Sequence, residues 1–413
     1  EITTRLVGSE MCIRDRFIII LLGGNRMKKR TVAALAAGLF LFGACGSPKA
    51  NDSSGGEDAK TIKIGGNFEL SGAVAAYGEA ENEGAKLAVE EINKDGGIDG
   101  KKIEYISKDN KSDNNEAASV AANLTTKDEV VAIIGPATSG ATKATLPNLS
   151  KAKVPAVTPS GTDDAITVQK GKVQDYIYRS CFQDSFQGIV LAKYADDNLK
   201  ADKAVILGDN SSDYANGLKK AFKDTYKGKI VAEENFTAGD KDFQAMLTKI
   251  KDKDFNVIYI PGYYTEAGLI IKQAREMGIE QPIIGADGFG DEKLVETAGA
   301  SNVKNVYYTG HFSTKAPATD KVEPFVEAFE KKYNKQPSSF NALAYDSVYM
   351  IKQAIEDEGK ATPEAIDKGL ANLKDFEGVT GKISMDKEHN PVKSAVVLGL
   401  TDGKETSAET VNP

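Results

Sequence analysis

The chain has 413 residues, with 52 lysines and arginines against 60 aspartates and glutamates, a net charge of −8. That balance argues against nucleic acid or an anionic membrane surface as its main partner. Its length exceeds what one hydrophobic core usually holds, so two domains are expected.

Residues 1–26 read as translation from too far upstream: "RLVGSEMCIRDR" resembles a library artefact and "FIIILL" has no evident role, so they are left out of the fold. At Met27 a secretory signal begins, with basic Lys28, Lys29 and Arg30, an apolar run from Val32 to Ala44, and small residues before Cys45. The run is too short for the roughly 20 residues that span a bilayer. "FGAC" resembles a bacterial lipobox, which implies a lipid on Cys45 and a mature chain starting there. Removing residues 1–44, with seven basic and three acidic residues, leaves 45 against 57, net −12. Residues 45–60 are Ser, Gly, Asn, Asp and Lys-rich and read as a flexible tether.

From "TIKIGG" onward, short β-branched runs alternate with helical periodicity. In "GEAENEGAKLAVEEINKDGG", Ala85, Ala88, Val89 and Ile92 share one helix face, and Gly96 and Gly97 end it. Strand-like "KIEYIS", "VVAIIG" and "VPAVTPS" alternate with helical "NEAASVAANLTT" and "GATKATLPNLSKA". After Arg179 the alternation restarts through strands "AVILGD", "KIVAEENF", "NVIYIPG" and "PIIGAD". This pattern predicts an α/β fold with two doubly wound parallel-sheet lobes. Helices "KVEPFVEAFEKKYN", "FNALAYDSVYMIKQAIEDEG" and "PEAIDKGLANL" then return to the first lobe, followed by strands "GKISMD" and "AVVLGLTDGK".

In such sheets ligands bind beyond the carboxyl ends of the strands. The loops there, "GPATSGAT" and "TPSGTDD" among them, put Gly and hydroxyls ahead of helices, where N–H groups and the helix dipole favour an anion. Asp287, between an apolar strand and Gly288, supplies the opposite charge for an ammonium group; a cap or solvated turn is the plain structural role for it. Tyr77, Tyr214, Tyr263 and Tyr264 fall in the same set of loops and read as pocket walls. No nucleophile elbow, P-loop, zinc-binding HExxH or dinucleotide-binding glycine motif is present. His311 and His389 have no partner at metal-ligand spacing, and "DNKSDNNE" lacks the glycine of a calcium loop. Neither an enzyme, a metal nor a cofactor is indicated. With Cys12 in the leader and Cys45 the lipid candidate, Cys181 is left as a core thiol.

From Lys60 to the C-terminus the chain resembles the branched-chain amino-acid (leucine/isoleucine/valine-type) binding proteins of ABC importers, within the type I periplasmic binding protein fold. The motifs that carry this are "ELSGAVAAYGE", "GAKLAVEEINKDGGIDGKKIE", "IIGPATSGAT", "VPAVTPSGTD", "GDNSSDYANG", "FTAGDKDF", "GYYTEAG" and "IGADGF". The resemblance implies three crossovers, near Arg179–Cys181, Thr309–Phe312 and Asp386–Val392. It divides the chain into lobe one, 61–179 plus 312–388, and lobe two, 180–311 plus 389–413. It places Ser139, Ser160 and Thr162 at a ligand carboxylate and Asp287 at the ammonium, where many relatives carry Glu. Tyr77, Tyr214 and Tyr263 line the cleft, with Phe340 as a further wall. The disulfide that some relatives carry in lobe one is missing. The implied function is capture of an L-amino acid, Leu, Ile or Val, and delivery to a membrane permease by a monomeric, lipid-anchored protein on the extracytoplasmic face. The same scaffold also serves amides, urea-like compounds and aromatic amino acids. A secreted hydrolase and a ligand-sensing ectodomain are the readings from other classes.

Overall fold

The computed structural model describes residues 61–412. The upstream read-through, the signal peptide, Cys45 and the tether lie outside the described residues.

The chain opens with β1 (Thr61–Phe68), α1 (Ala75–Lys94), β2 (Lys102–Asp109), α2 (Asn114–Thr126), β3 (Ala132–Ile134), α3 (Ser139–Ala152) and β4 (Ala156–Thr158). A two-stranded excursion, β5 (Val168–Gln169) and β6 (Lys172–Val173), precedes β7 (Ile177–Arg179). Five of these strands form one parallel sheet in the order β2-β1-β3-β4-β7. Strands β3, β4 and β7 are three residues each and buried throughout, as expected where helices cover both faces.

The second series is α4 (Asp184–Asp197), β8 (Lys203–Asp209), α5 (Asp213–Thr225), β9 (Lys229–Phe236), α6 (Gln244–Lys251), β10 (Val257–Ile260), α7 (Tyr264–Glu276), β11 (Ile283–Gly285), α8 (Glu292–Ala298) and β12 (Lys304–Gly310). The chain then crosses back for α9 (Val322–Tyr333), α10 (Ser339–Glu358) and α11 (Pro363–Ala371), and a small antiparallel sheet of β13 (Phe376–Gly378), β14 (Gly381–Met385) and β15 (Pro391–Val392). A third crossing leads to β16 (Ala395–Thr401) and β17 (Lys404–Val411). The second sheet runs β17-β16-β12-β11-β10-β8-β9. These are the two doubly wound lobes joined by three crossovers of the type I periplasmic binding protein fold.

Three features of the second lobe differ from the sequence reading. "NVYYTG" is a full strand, β12, and the stretch before it contains α8. The run "AVVLGLTDGK" is not one strand but most of a hairpin, turning at Asp402-Gly403, and β16 joins β12 antiparallel. This lobe's sheet is therefore mixed: a tight turn can only return the chain antiparallel.

Each sheet is covered on both faces. In lobe one, Ile64, Ile134 and Val157 face α1 and α10 through Ala85, Ala88, Val348 and Ile351, while Ile133, Ala156 and Ile177 meet α2 and α3 through Leu124 and Leu149. The α1–α10 contact is close enough that a Cβ on Gly84 would stand 2.0 Å from the carbonyl oxygen of Asn341. In lobe two, Ile258, Ile260 and Ile283 pack on α7 and α8, and Ile206, Tyr259 and Ile284 on α4 and α5. Tyr77, Ala80, Ala137 and Phe340 of lobe one are continuous with the first of these clusters, so the cleft is shut. Cys181 is a buried free thiol whose Sγ donates to Gly161 O at 3.3 Å, and burial pushes its pKa up to about 12.

Candidate functional site

A small cavity of about 10 Å³ lies between the lobes. Lobe one contributes Tyr77, Ala137, Thr138, Ser160 and Phe340; lobe two contributes Tyr214, Tyr263, Asp287 and Gly288. All except Tyr77, Tyr214 and Phe340, which sit in the first turns of α1, α5 and α10, lie in or at the end of loops leaving β3, β4, β10 and β11. Strand-exit loops converge there because both sheets change winding direction at their centres.

Two buried groups hold the lobe-one wall. Glu69, fully buried after β1, accepts the Ala137 N–H at 3.0 Å and both the N–H (3.0 Å) and hydroxyl (2.7 Å) of Thr138. That anchors the approach to α3 and leaves the first-turn N–H groups from Ser139 onward at the helix's positive end. Arg179, at the first crossover, donates to the carbonyls of Gly161 (3.1 Å), Thr162 (2.8 Å) and Asp163 (3.0 Å), which sets the backbone of the 160–163 loop. Ser160 Oγ donates to Ala137 O at 2.8 Å and meets the carboxyl of Glu81, one turn past Tyr77 on α1. Burial raises the Glu81 pKa well above the ordinary carboxylate range, and its other oxygen has no partner. With Glu81 protonated the chain runs Glu81 to Ser160 to the Ala137 carbonyl, each group donating once.

The lobe-two wall is built on Asp287, which is 4% exposed. Its Oδ1 accepts the Tyr214 hydroxyl at 2.7 Å, its backbone N–H donates to Gln187 Oε1 at 3.0 Å, and its Oδ2 lies 3.4 Å from His311 Nε2. Burial lowers the His311 pKa to about 4, so at neutral pH the imidazole is uncharged. No lysine or arginine among the described residues pairs with Asp287; its carboxylate is held by the neutral donors Tyr214 and His311. Such a carboxylate gains more from an arriving cation in this setting than at the surface.

Aromatic rings close the remainder. Tyr214 and Tyr263 stack at 5.0 Å with planes 4° apart, and Tyr77 lies 4.5 Å from Phe340 and 5.7 Å from Tyr263. The Tyr77 hydroxyl spans the cleft, donating to Gly288 O at 2.6 Å and accepting the Tyr264 N–H at 3.2 Å.

Of the residues singled out in the sequence, Tyr77, Ser160, Tyr214, Tyr263, Asp287 and Phe340 meet at this cavity. Ser139 and Thr162 do not border it. Ser139 Oγ accepts the Asp163 N–H at 3.1 Å, and the Thr162 hydroxyl is buried against the Asp184 carboxyl. Ala137, Thr138, Gly288, Glu69, Glu81, Gln187 and His311 were not singled out as site residues. Glu81 was legible in principle, since a position four residues after Tyr77 shares its helix face; Gln187 and His311 carry no local signal, because the crossovers bring them to Asp287.

Two lobes shut over a small cavity, with a buried carboxylate that has no cationic partner on one wall and a helix N-terminus on the other, are the arrangement of a solute-binding protein. Residues 61–404 match the family model described as periplasmic binding protein, and the chain belongs to that family. It is 32% identical over 338 residues to the leucine-, isoleucine-, valine-, threonine- and alanine-binding protein of Pseudomonas aeruginosa, covering 80% of this chain and 87% of that one. The crystal structure of the branched-chain amino-acid transporter substrate-binding protein LivJ from Streptococcus pneumoniae, in complex with isoleucine, is 53% identical, with a TM-score of 0.82 over 86% of this chain and 100% of the other. The leucine-binding protein LivK of Thermotoga maritima matches at 32% identity and a TM-score of 0.80, covering 86% and 99%.

Proposed function

We propose that the protein captures L-leucine, L-isoleucine or L-valine and presents it to the permease of an ABC importer. The observation that carries this reading is Asp287, buried, facing the cavity and served by neutral donors. An α-ammonium group supplies the missing positive charge. The ligand carboxylate is taken at the Ser160 loop and by first-turn N–H groups of α3 beginning at Ser139. Tyr77, Tyr214, Tyr263 and Phe340 supply the apolar walls that an aliphatic side chain would meet. The names of the relatives above support the same ligand class.

Ligand contacts come from both lobes, so occupancy favours the shut form, and that shape is what the permease reads. Lobe one is 61–179 plus 312–388 and lobe two 180–311 plus 389–413 in this reading. Cys45 carries the lipid that holds a monomeric protein to the membrane; among the described residues no helix is long and apolar enough to cross one.

A thermal-shift screen of the 20 amino acids and several amides on the full chain, with Asp287→Ala beside it, tests the reading. A ligand at a hundred times its Kd adds about 2.7 kcal/mol of stability. Aliphatic amino acids are expected to raise the melting temperature of the wild type and not of the variant. No shift with any amino acid, or an unchanged leucine response in the variant, refutes it.

A further inference from the structure

His311 sits in the second crossover, directly after β12, and is 2% exposed. It touches three different parts of the molecule. Its ring stacks on Phe182 of the first crossover, centroids 3.7 Å apart and planes 24° from parallel. Its backbone N–H donates to Ser339 Oγ at the start of α10 in lobe one, at 3.3 Å. Its Nε2 faces Oδ2 of Asp287 in lobe two at 3.4 Å.

The proton can be placed from these partners. Nδ1 is buried and has no hydrogen-bond partner, whereas Nε2 faces a carboxylate oxygen. The neutral tautomer with hydrogen on Nε2 satisfies the carboxylate; the other would set a lone pair against it, and the imidazolium would bury an unpartnered Nδ1–H. Burial lowers the pKa accordingly. Asp287 thus has each oxygen held by a different neutral donor, Tyr214 within lobe two and His311 from the crossover.

We infer that His311 is a positioning residue: its Nε2–H, held by the Phe182 stack and the crossover backbone, orients the Asp287 carboxylate toward the ligand ammonium and ties that carboxylate to the hinge. The inference rests on the reading of Asp287 as the ammonium partner. Its consequence is that the orientation of the ammonium site is tied to the conformation of the second crossover.

The test compares His311→Phe, which keeps a ring against Phe182 without a donor, with His311→Gln, whose Nε2 reaches a similar place, and with Asp287→Asn. Leucine affinity is measured by calorimetry, and the ligand-free melt is recorded for each. Loss of one hydrogen bond to a charged acceptor predicts a roughly 10-fold weaker Kd for the Phe variant, with most of it restored by Gln. A Phe variant that binds as the wild type does, or a Gln variant as weak as Phe, overturns the assignment. If neither variant folds, the 15N spectrum of the wild-type imidazole decides: a proton on Nε2 with Nδ1 bare upholds the inference, and a proton on Nδ1 overturns it. Asp287→Asn separates the two readings. Unchanged leucine binding there removes the ammonium site itself, whereas lost binding beside an unaffected Phe variant removes only the role of His311.

Discussion

Tyr77→Phe isolates closure from ligand contact. In the shut form the Tyr77 hydroxyl fills the needs of two lobe-two backbone groups, the Gly288 carbonyl at 2.6 Å and the Tyr264 N–H at 3.2 Å. The Phe ring keeps the packing against Phe340 and Tyr263, so the change removes one oxygen and little else. With the cleft open, water serves both backbone groups; with it shut, the variant buries them unpaired. Leaving a buried polar group unsatisfied costs about 1–3 kcal/mol, and taking about 2 kcal/mol for the pair shifts the open–shut balance by roughly 30-fold. Because a ligand bound by both lobes draws its affinity through the shut state, leucine Kd weakens by up to the same factor. Titration calorimetry on both proteins measures this, with a ligand-free melt to check the fold. Leucine affinity within two-fold of the wild type refutes the reasoning, as does a melt that falls by many degrees, which would point to local damage instead.

Gly84→Ala drives a methyl group into the Asn341 carbonyl across the α1–α10 contact; denaturant unfolding should show a loss of about 1–3 kcal/mol, as for other overpacked cores. His311 gives a pH signature. Its folded pKa of about 4 lies below the ordinary 6.5, so the unfolded chain takes the proton first as pH falls. The stability held by the neutral imidazole is complete above pH 6.5 and is lost toward pH 4, by up to about 3 kcal/mol. His311→Gln lacks this titration, so wild type should lose more stability than the variant over that window; parallel curves would contradict it. Glu81 and Asp184, whose burial raises their pKa values, bias both proteins alike.

The alternation of short apolar runs with helical periodicity was enough to determine two doubly wound lobes, because strand and helix burial impose their own periods on neighbouring residues. It also pointed to the loops that line the cavity, since a parallel sheet presents the carboxyl ends of its strands at one edge. Asp287, Ser160 and the tyrosines were legible for that reason. What local pattern did not reveal is where side chains turn once loops meet. Ser139 and Thr162 occupy the expected loops, yet Arg179 fixes the 160–163 backbone so that the Ser139 hydroxyl serves Asp163 rather than the cavity. Strand β12 was missed for a related reason, as its polar ends, Lys304, Asn305 and Thr309, hide a pairing that only β11 and β16 complete. Glu69, Gln187 and His311 reach the site from positions distant in sequence, and their roles follow from burial and partners that exist only after the crossovers bring the lobes together.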